Sequence, residues 1–198
     1  MIHMASPSLI ASENEIALPA QDEPLYEIVN GQRVDLQPMS AYTTWLASRL
    51  QGRLWPHVEE NLLGTSVTEM LFILDAEYDL RRRPDVAFVS AERWPLDREL
   101  PSTGDWAVVP NLAVEVISPN DVFKDVLAKL REYFQYGVQL AWVIAPEEQQ
   151  IYVYDSPTQV RILTVRDELT GGEVLAGFRM PLASFFQRST ATHAPPAS

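Results

Sequence analysis

Residues 111–145 read NLAVEVISPNDVFKDVLAKLREYFQYGVQLAWVIA, and this stretch decides the fold. Its first eight residues (NLAVEVIS) are almost all apolar, the pattern of a strand covered on both faces. Ser118-Pro119-Asn120-Asp121 carries the chemistry of a helix start: a serine cap, a proline in the first turn, and an acid near the positive end of the dipole. Over residues 121–136, Val122, Val126 and Tyr133 fall on one face, which is the buried stripe expected of the helix. Gly137 supplies a residue able to close it, and residues 140–145 (LAWVIA) return as a second apolar strand. Strand, helix and strand make a βαβ unit, with parallel strands and a right-handed crossover.

The flanking sequence adds hairpins and one long helix. Asn30-Gly31 between residues 25–29 and 32–36 is a hairpin signal, because that pair supplies the two positive-φ positions of a type I′ turn. Ser40 is a helix cap for a segment in which Tyr42, Trp45, Leu46, Leu50 and Leu54 recur at three and four, with Pro56 expected to end or kink it. Strands are expected over 65–74 and 84–90, a charged loop over 91–110, and further hairpin strands over 151–154 and 160–165. A turn at Gly171-Gly172 then leads to a last short strand and to residues 181–186. The expected class is α/β, a mixed central sheet flanked by few helices. Residues 1–23 read as an N-terminal arm, 24–187 as one domain and 188–198 as a C-terminal tail.

Composition narrows the chemistry. The chain of 198 residues is 46% hydrophobic and 21% charged, as expected of a globular protein with a substantial core. There is no apolar run of about 20 residues to span a bilayer, and no basic-then-apolar leader at the N-terminus. Zero cysteines exclude disulfides, thiolate nucleophiles and cysteine zinc sites, and fit a reducing cytoplasm. Of three histidines, His3 and His193 lie in the expected tails, which leaves His57. A Ser-His-Asp hydrolase or a multi-histidine metal centre is thereby disfavoured. Catalysis has to lean on carboxylates, Lys, Arg, Tyr or an oxygen-ligated cation.

Three charged residues stand where charge is costly. Lys129, one of two lysines, falls on the buried stripe of the expected helix, where an ammonium needs an anion. The alternative is that its stem packs on Val126 and Tyr133 while the amine reaches water. Glu115 is the one charged residue in the strand over 111–118, so it needs a partner; an arginine in a structural ion pair is the alternative to a functional role. Asp85 follows Pro84 at the mouth of the next apolar strand, a position that also fits simple turn chemistry. The βαβ unit carries the helix back over the sheet that holds both acids, and a cation together with Lys129 would satisfy all three. The run Arg81-Arg82-Arg83 is either a local basic patch or the balance for Asp75, Glu77 and Asp79, in a chain of net charge −12.

These motifs occur in an order that resembles one family. Arg83-Pro84-Asp85-Val86-Ala87-Phe88-Val89, then residues 110–119 around Glu115, then Asp125, Lys129, Tyr133 and Gly137-Val138 are similar to the Uma-two family of the PD-(D/E)xK nuclease superfamily. The segments Tyr26-Glu27-Ile28-Val29-Asn30-Gly31 and 175–181, with Phe185-Phe186, resemble the family's ends, so the likeness covers about residues 25–187. It implies a restriction-endonuclease-like fold and metal-dependent cleavage of DNA, with Mg²⁺ the ion and Mn²⁺ a substitute. It implies a metal held by Asp85, Glu115 and the backbone carbonyl of Val116, with Lys129 as the catalytic lysine. The superfamily's usual lysine, two residues after the glutamate, is replaced here by Ile117. Glu27 resembles a further acidic position and is a candidate outer ligand, or else a surface charge at a hairpin edge. Asp125 reads as a surface or orienting residue. Where the family often has a histidine at the start of the first long helix, this chain has Ala41-Tyr42.

The expected function is therefore a Mg²⁺-dependent DNA endonuclease, homodimeric so that both strands are cut, and cytoplasmic. A protein that keeps the fold as a binding or assembly module without cutting is the second reading, motivated by the acidic total and the missing histidine. A carboxylate-pair glycosidase using Asp85 and Glu115 comes third, because it leaves Lys129 without a role.

Overall fold

The structure is a computed structural model and describes residues 24–102, 104–118 and 121–187. The arm over 1–23, the tail over 188–198, and Pro119 and Asn120 of the expected helix start lie outside the described residues.

The βαβ unit forms as the sequence predicts. β7 (Leu112–Val116) and β8 (Leu140–Ala145) pair in parallel, with Glu115 opposite Val143, and α2 (Phe123–Gln135) connects them. Gly137 closes α2 at φ 102°: its N–H bonds the Phe134 carbonyl and the Val138 N–H reaches the Tyr133 carbonyl, a Schellman ending. The start of α2 differs from expectation. Its N-cap is Val122, with no side-chain cap, while the Asp121 carboxylate accepts the Ser118 N–H at 2.6 Å in the turn before the helix. Val122 is accordingly 52% exposed and leaves the buried stripe assigned to it.

The unit lies within a six-stranded mixed sheet of order β10-β9-β8-β7-β6-β3. Its remaining strands are β3 (Gly64–Thr68), β6 (Val86–Ser90), β9 (Gln150–Ser156) and β10 (Gln159–Leu163), all joined antiparallel. One face packs on α1 (Ala41–Glu60), whose Leu46, Leu50, Leu54 and Val58 recur every fourth residue and are fully buried. Each such side chain contributes about 1.5–3 kcal/mol relative to an exposed one. The hairpin β11 (Glu168–Gly171) and β12 (Leu175–Pro181) closes that layer with α3 (Leu182–Phe185). Ser40 caps α1 through its hydroxyl, which accepts the Thr43 N–H at 3.2 Å. Pro56 does not end the helix, which runs on to Glu60. Both Pro56 and Gly52, whose carbonyl loses its helical donor, face solvent, where water can satisfy that carbonyl.

A second sheet of order β2-β1-β5-β4 covers part of the other face. β1 (Tyr26–Val29) and β2 (Gln32–Asp35) form the predicted hairpin, with Asn30 and Gly31 at φ 50° and 71°. β4 (Phe72–Asp75) and β5 (Leu80–Arg82) complete the sheet. The single strand expected over 65–74 is thus two strands in two sheets. Glu69, at φ 51°, turns the chain from β3 toward β4. The region 91–110 is irregular as expected, yet it supplies core: Trp94 and Trp106 are buried between the sheets, and Trp106 bridges Phe72. No described helix is long and apolar enough to cross a membrane.

Candidate active site

Asp85 and Glu115 are brought together by strand register. Val86 pairs with Val114 and Ala87 with Ala113 across β6 and β7, so one further step sets Asp85 opposite Glu115. Asp85 also ends this pairing, its Oδ2 accepting the Val116 N–H at 2.6 Å. Residues opposite each other in antiparallel strands project to the same side, here the side that faces α2.

α2 then places its amine on that row. Lys129 Nζ lies 3.1 Å from Glu115 Oε2 and 3.1 Å from Glu27 Oε1. The Tyr133 hydroxyl, one turn further on, donates to Glu115 Oε1 at 2.5 Å. Glu27 is buried on β1, facing inward with Val29 rather than standing at a surface edge. Its Oε2 accepts Arg82 at 2.7 Å and its Oε1 the Arg83 N–H at 3.1 Å. Arg82 in turn bonds Glu132 of α2 at 2.6 Å. The partner of Glu115 is therefore a lysine and a phenol, not the arginine considered from the sequence. The arginine run is internal balance: Arg81 pairs with Asp79 and Asp105, Arg82 with the two glutamates, and Arg83 bonds the Tyr26 and Glu69 carbonyls.

The electrostatics follow from burial and from uneven compensation. Burial pulls the Lys129 ammonium toward neutrality, but Glu115 and Glu27 outweigh it and hold the amine above its ordinary value. Burial pushes Glu27 up, and Lys129, Arg82 and the Arg83 amide together bring it below its ordinary value. Glu115 shares the same ammonium yet stays raised, because burial and the facing Glu27 charge exceed what Lys129 and Tyr133 supply. Asp85 is pushed up to about 7, by burial first and the Glu115 charge next, against the single amide bond from Val116. The Tyr133 phenol is held well above its ordinary value and remains a donor.

These residues suit a hard divalent cation. Arg82 and Lys129 bring two positive charges to a connected set that holds four carboxylates: Asp85, Glu27, Glu115 and Glu132. The two unmatched negative charges fall on the Asp85–Glu115 side, where both acids are raised. Among the described residues no group of three or more His, Asp or Glu side chains is placed to hold an ion unaided. Two carboxylates plus the Val116 carbonyl leave the other positions to water and substrate, the way Mg²⁺ is usually bound. All are oxygen donors, which suit Mg²⁺ or Mn²⁺ over softer metals.

The residues open onto solvent through two clefts. Glu115, Val116 and Lys129 line one of about 160 Å³ with Asp121 and Asp125. Asp85 lines another of about 360 Å³ with Glu69, Arg83 and Thr44. Asp125 thus belongs to the cleft wall, one turn before Lys129. Arg82, Glu132 and the clamping role of Tyr133 were missed from the sequence, although strand alternation gives a signal: Arg82 shares its face of β5 with the buried Leu80.

The comparisons with known proteins bear on family and fold. No curated protein matches the chain. A nuclease-like protein of Anabaena variabilis ATCC 29413, whose crystal structure is described as that of "a putative nuclease belonging to DUF820", superposes with a TM-score of 0.73. It is 16% identical, and the match covers 85% of this chain and 93% of that one, which is a likeness of fold. A family model described as "Putative restriction endonuclease" matches residues 13–183. The chain therefore belongs to the Uma2 family of restriction-endonuclease-like proteins.

Proposed function

We propose that the protein is a divalent-cation-dependent endonuclease that hydrolyses phosphodiester bonds of DNA, with Mg²⁺ as its ion and Mn²⁺ as a substitute. One observation carries the reading: a helix-borne ammonium is fixed 3.1 Å from Glu115, on the strand beside Asp85. The family match gives nuclease descent, and the residue chemistry supports the rest. When bound by Asp85, Glu115 and the Val116 carbonyl, the ion would neutralise phosphate charge and make water a stronger nucleophile.

The side chains have separable tasks. An amine held above its ordinary value is protonated at neutral pH, so Lys129 acts as a donor and not as a base. Of its three N–H bonds, Glu115 and Glu27 take two, which leaves one for the attacking water or a phosphate oxygen that gains charge. Tyr133 fixes the Glu115 carboxylate from the other oxygen, so that its orientation does not depend on the ion. Incubating plasmid and linear DNA with Mg²⁺ or Mn²⁺, beside Asp85→Ala and Lys129→Ala, tests the assignment. Cleavage that needs the ion and falls at least a hundredfold in both variants is expected; equal cleavage by all three proteins would overturn it.

A further inference from the structure

Beside the site lies an apolar cleft of about 300 Å³, between the first turns of α2 and the half of the central sheet that α2 leaves uncovered. Phe123, Val126, Tyr152 and Tyr154 form its walls, with the carboxylates of Asp121 and Glu148 among its lining residues. Phe123 is 72% exposed and Val122 beside it 52%, so the apolar lining of the cleft continues onto its rim. The cleft is continuous with that of Glu115 and Lys129, since Ile117, Asp121 and Val126 line both.

Charge decides what could enter. The chain has 27 acidic residues against 15 basic ones, a balance that limits how much affinity for a nucleic acid can come from neutralising its backbone. A nucleic acid bound here gains by contacts to the bases, and a base has an aromatic face whatever its identity. The cleft offers three aromatic rings for that face, and carboxylates able to accept from amino or ring N–H groups on its edge. A second copy of the chain fits less well, because Asp121 and Glu148 would meet their own kind across a two-fold axis.

We propose that this cleft takes an unpaired nucleobase of the substrate, stacked on Tyr154 and Phe123, so that the strand is cut where a base is out of the duplex. The proposal rests on the nuclease reading for the placement of the phosphate at Lys129, and its test is independent of cleavage. A single-stranded oligonucleotide carrying 2-aminopurine, and the blunt duplex of the same sequence, are titrated with protein in Ca²⁺. The single strand should bind at least tenfold tighter, with quenched 2-aminopurine emission. Phe123→Ala and Tyr154→Ala should each weaken it about tenfold, and Tyr154→Phe should restore binding. Equal affinity for the duplex, or unchanged affinity in both alanine variants, would overturn the proposal. So would variants that only turn a dimer into a monomer. Aromatic-dependent binding by a protein that cuts no DNA would uphold the base pocket and count against the endonuclease reading alone.

Discussion

Glu27, on β1 of the smaller sheet, stands 3.1 Å from the Lys129 amine on α2. The contact makes the smaller sheet part of the site. Through Glu27 and Arg82, two of its strands fix the helix that carries the lysine, while the central sheet carries both acids of the candidate metal pair. The amine is held from both sides, at the wall of the cleft.

Losing that ammonium should be costly to the fold as well as to activity. Lys129→Met leaves two buried carboxylates without their common cation, and breaking a buried pair from one side costs about 3–5 kcal/mol. Urea unfolding measures this directly. A loss under about 1 kcal/mol would mean the amine reaches water in solution.

Tyr133→Phe keeps the ring in its fully buried position and removes the hydroxyl that donates to Glu115. An acceptor left without its donor in the core costs about 1–3 kcal/mol. The exposed Tyr78→Phe, in the same urea assay, should change little. Equal effects in the two variants would contradict the role assigned to the Tyr133 hydroxyl.

Asp85 gives the metal-free protein a pH signature. Its carboxyl titrates at about 7 in the folded chain against an ordinary 3.8, so the folded state holds the proton more tightly. Stability from this group is fully present below about pH 4. It then declines by roughly 1.4 kcal/mol per pH unit until about pH 7, where it levels off. Glu115, also raised, acts in the same sense, and Glu27, lowered, acts oppositely at the acid end. Urea unfolding between about pH 4.5 and 7.5 should show this decline, reduced in Asp85→Asn. An identical slope in both proteins would contradict the assignment.

The divalent ion should relieve that strain. Mg²⁺ at about a hundred times its dissociation constant stabilises the folded state by about 2.7 kcal/mol if it binds only the native protein. The rise in unfolding midpoint should be largest near neutral pH and absent in Asp85→Asn and Glu115→Gln. A rise of the same size in both variants would place the ion elsewhere.

The sequence carried much of this arrangement because its strongest signals were local. An apolar strand interrupted by one glutamate, a helix with one inward lysine, and an Asn-Gly turn each act within a few residues. What escaped depended on distant partners. Whether Glu27 sat at an edge or in the core was settled by β5 pairing with β1, which no local pattern announces. Arg82 belongs to a run that fits either a basic patch or the balance of Asp75, Glu77 and Asp79, and its pairing with Glu27 and Glu132 is hinted at only by the face it shares with Leu80. Trp94 and Trp106 sit in an irregular segment whose periodicity gives no hint of burial, and they are core because two sheets meet there. Pro56 was expected to end or kink α1, and the helix continues through it where both Pro56 and Gly52 face solvent and water can satisfy the freed carbonyl.

A crystal soaked in Mn²⁺, with anomalous diffraction, tests the central claim most directly. The account predicts one strong peak between the carboxylates of residues 85 and 115, bonded to the Val116 carbonyl, with the Lys129 amine still hydrogen-bonded to Glu115. No peak there, or one on a surface acid while Asp85 and Glu115 stay protonated, would contradict it.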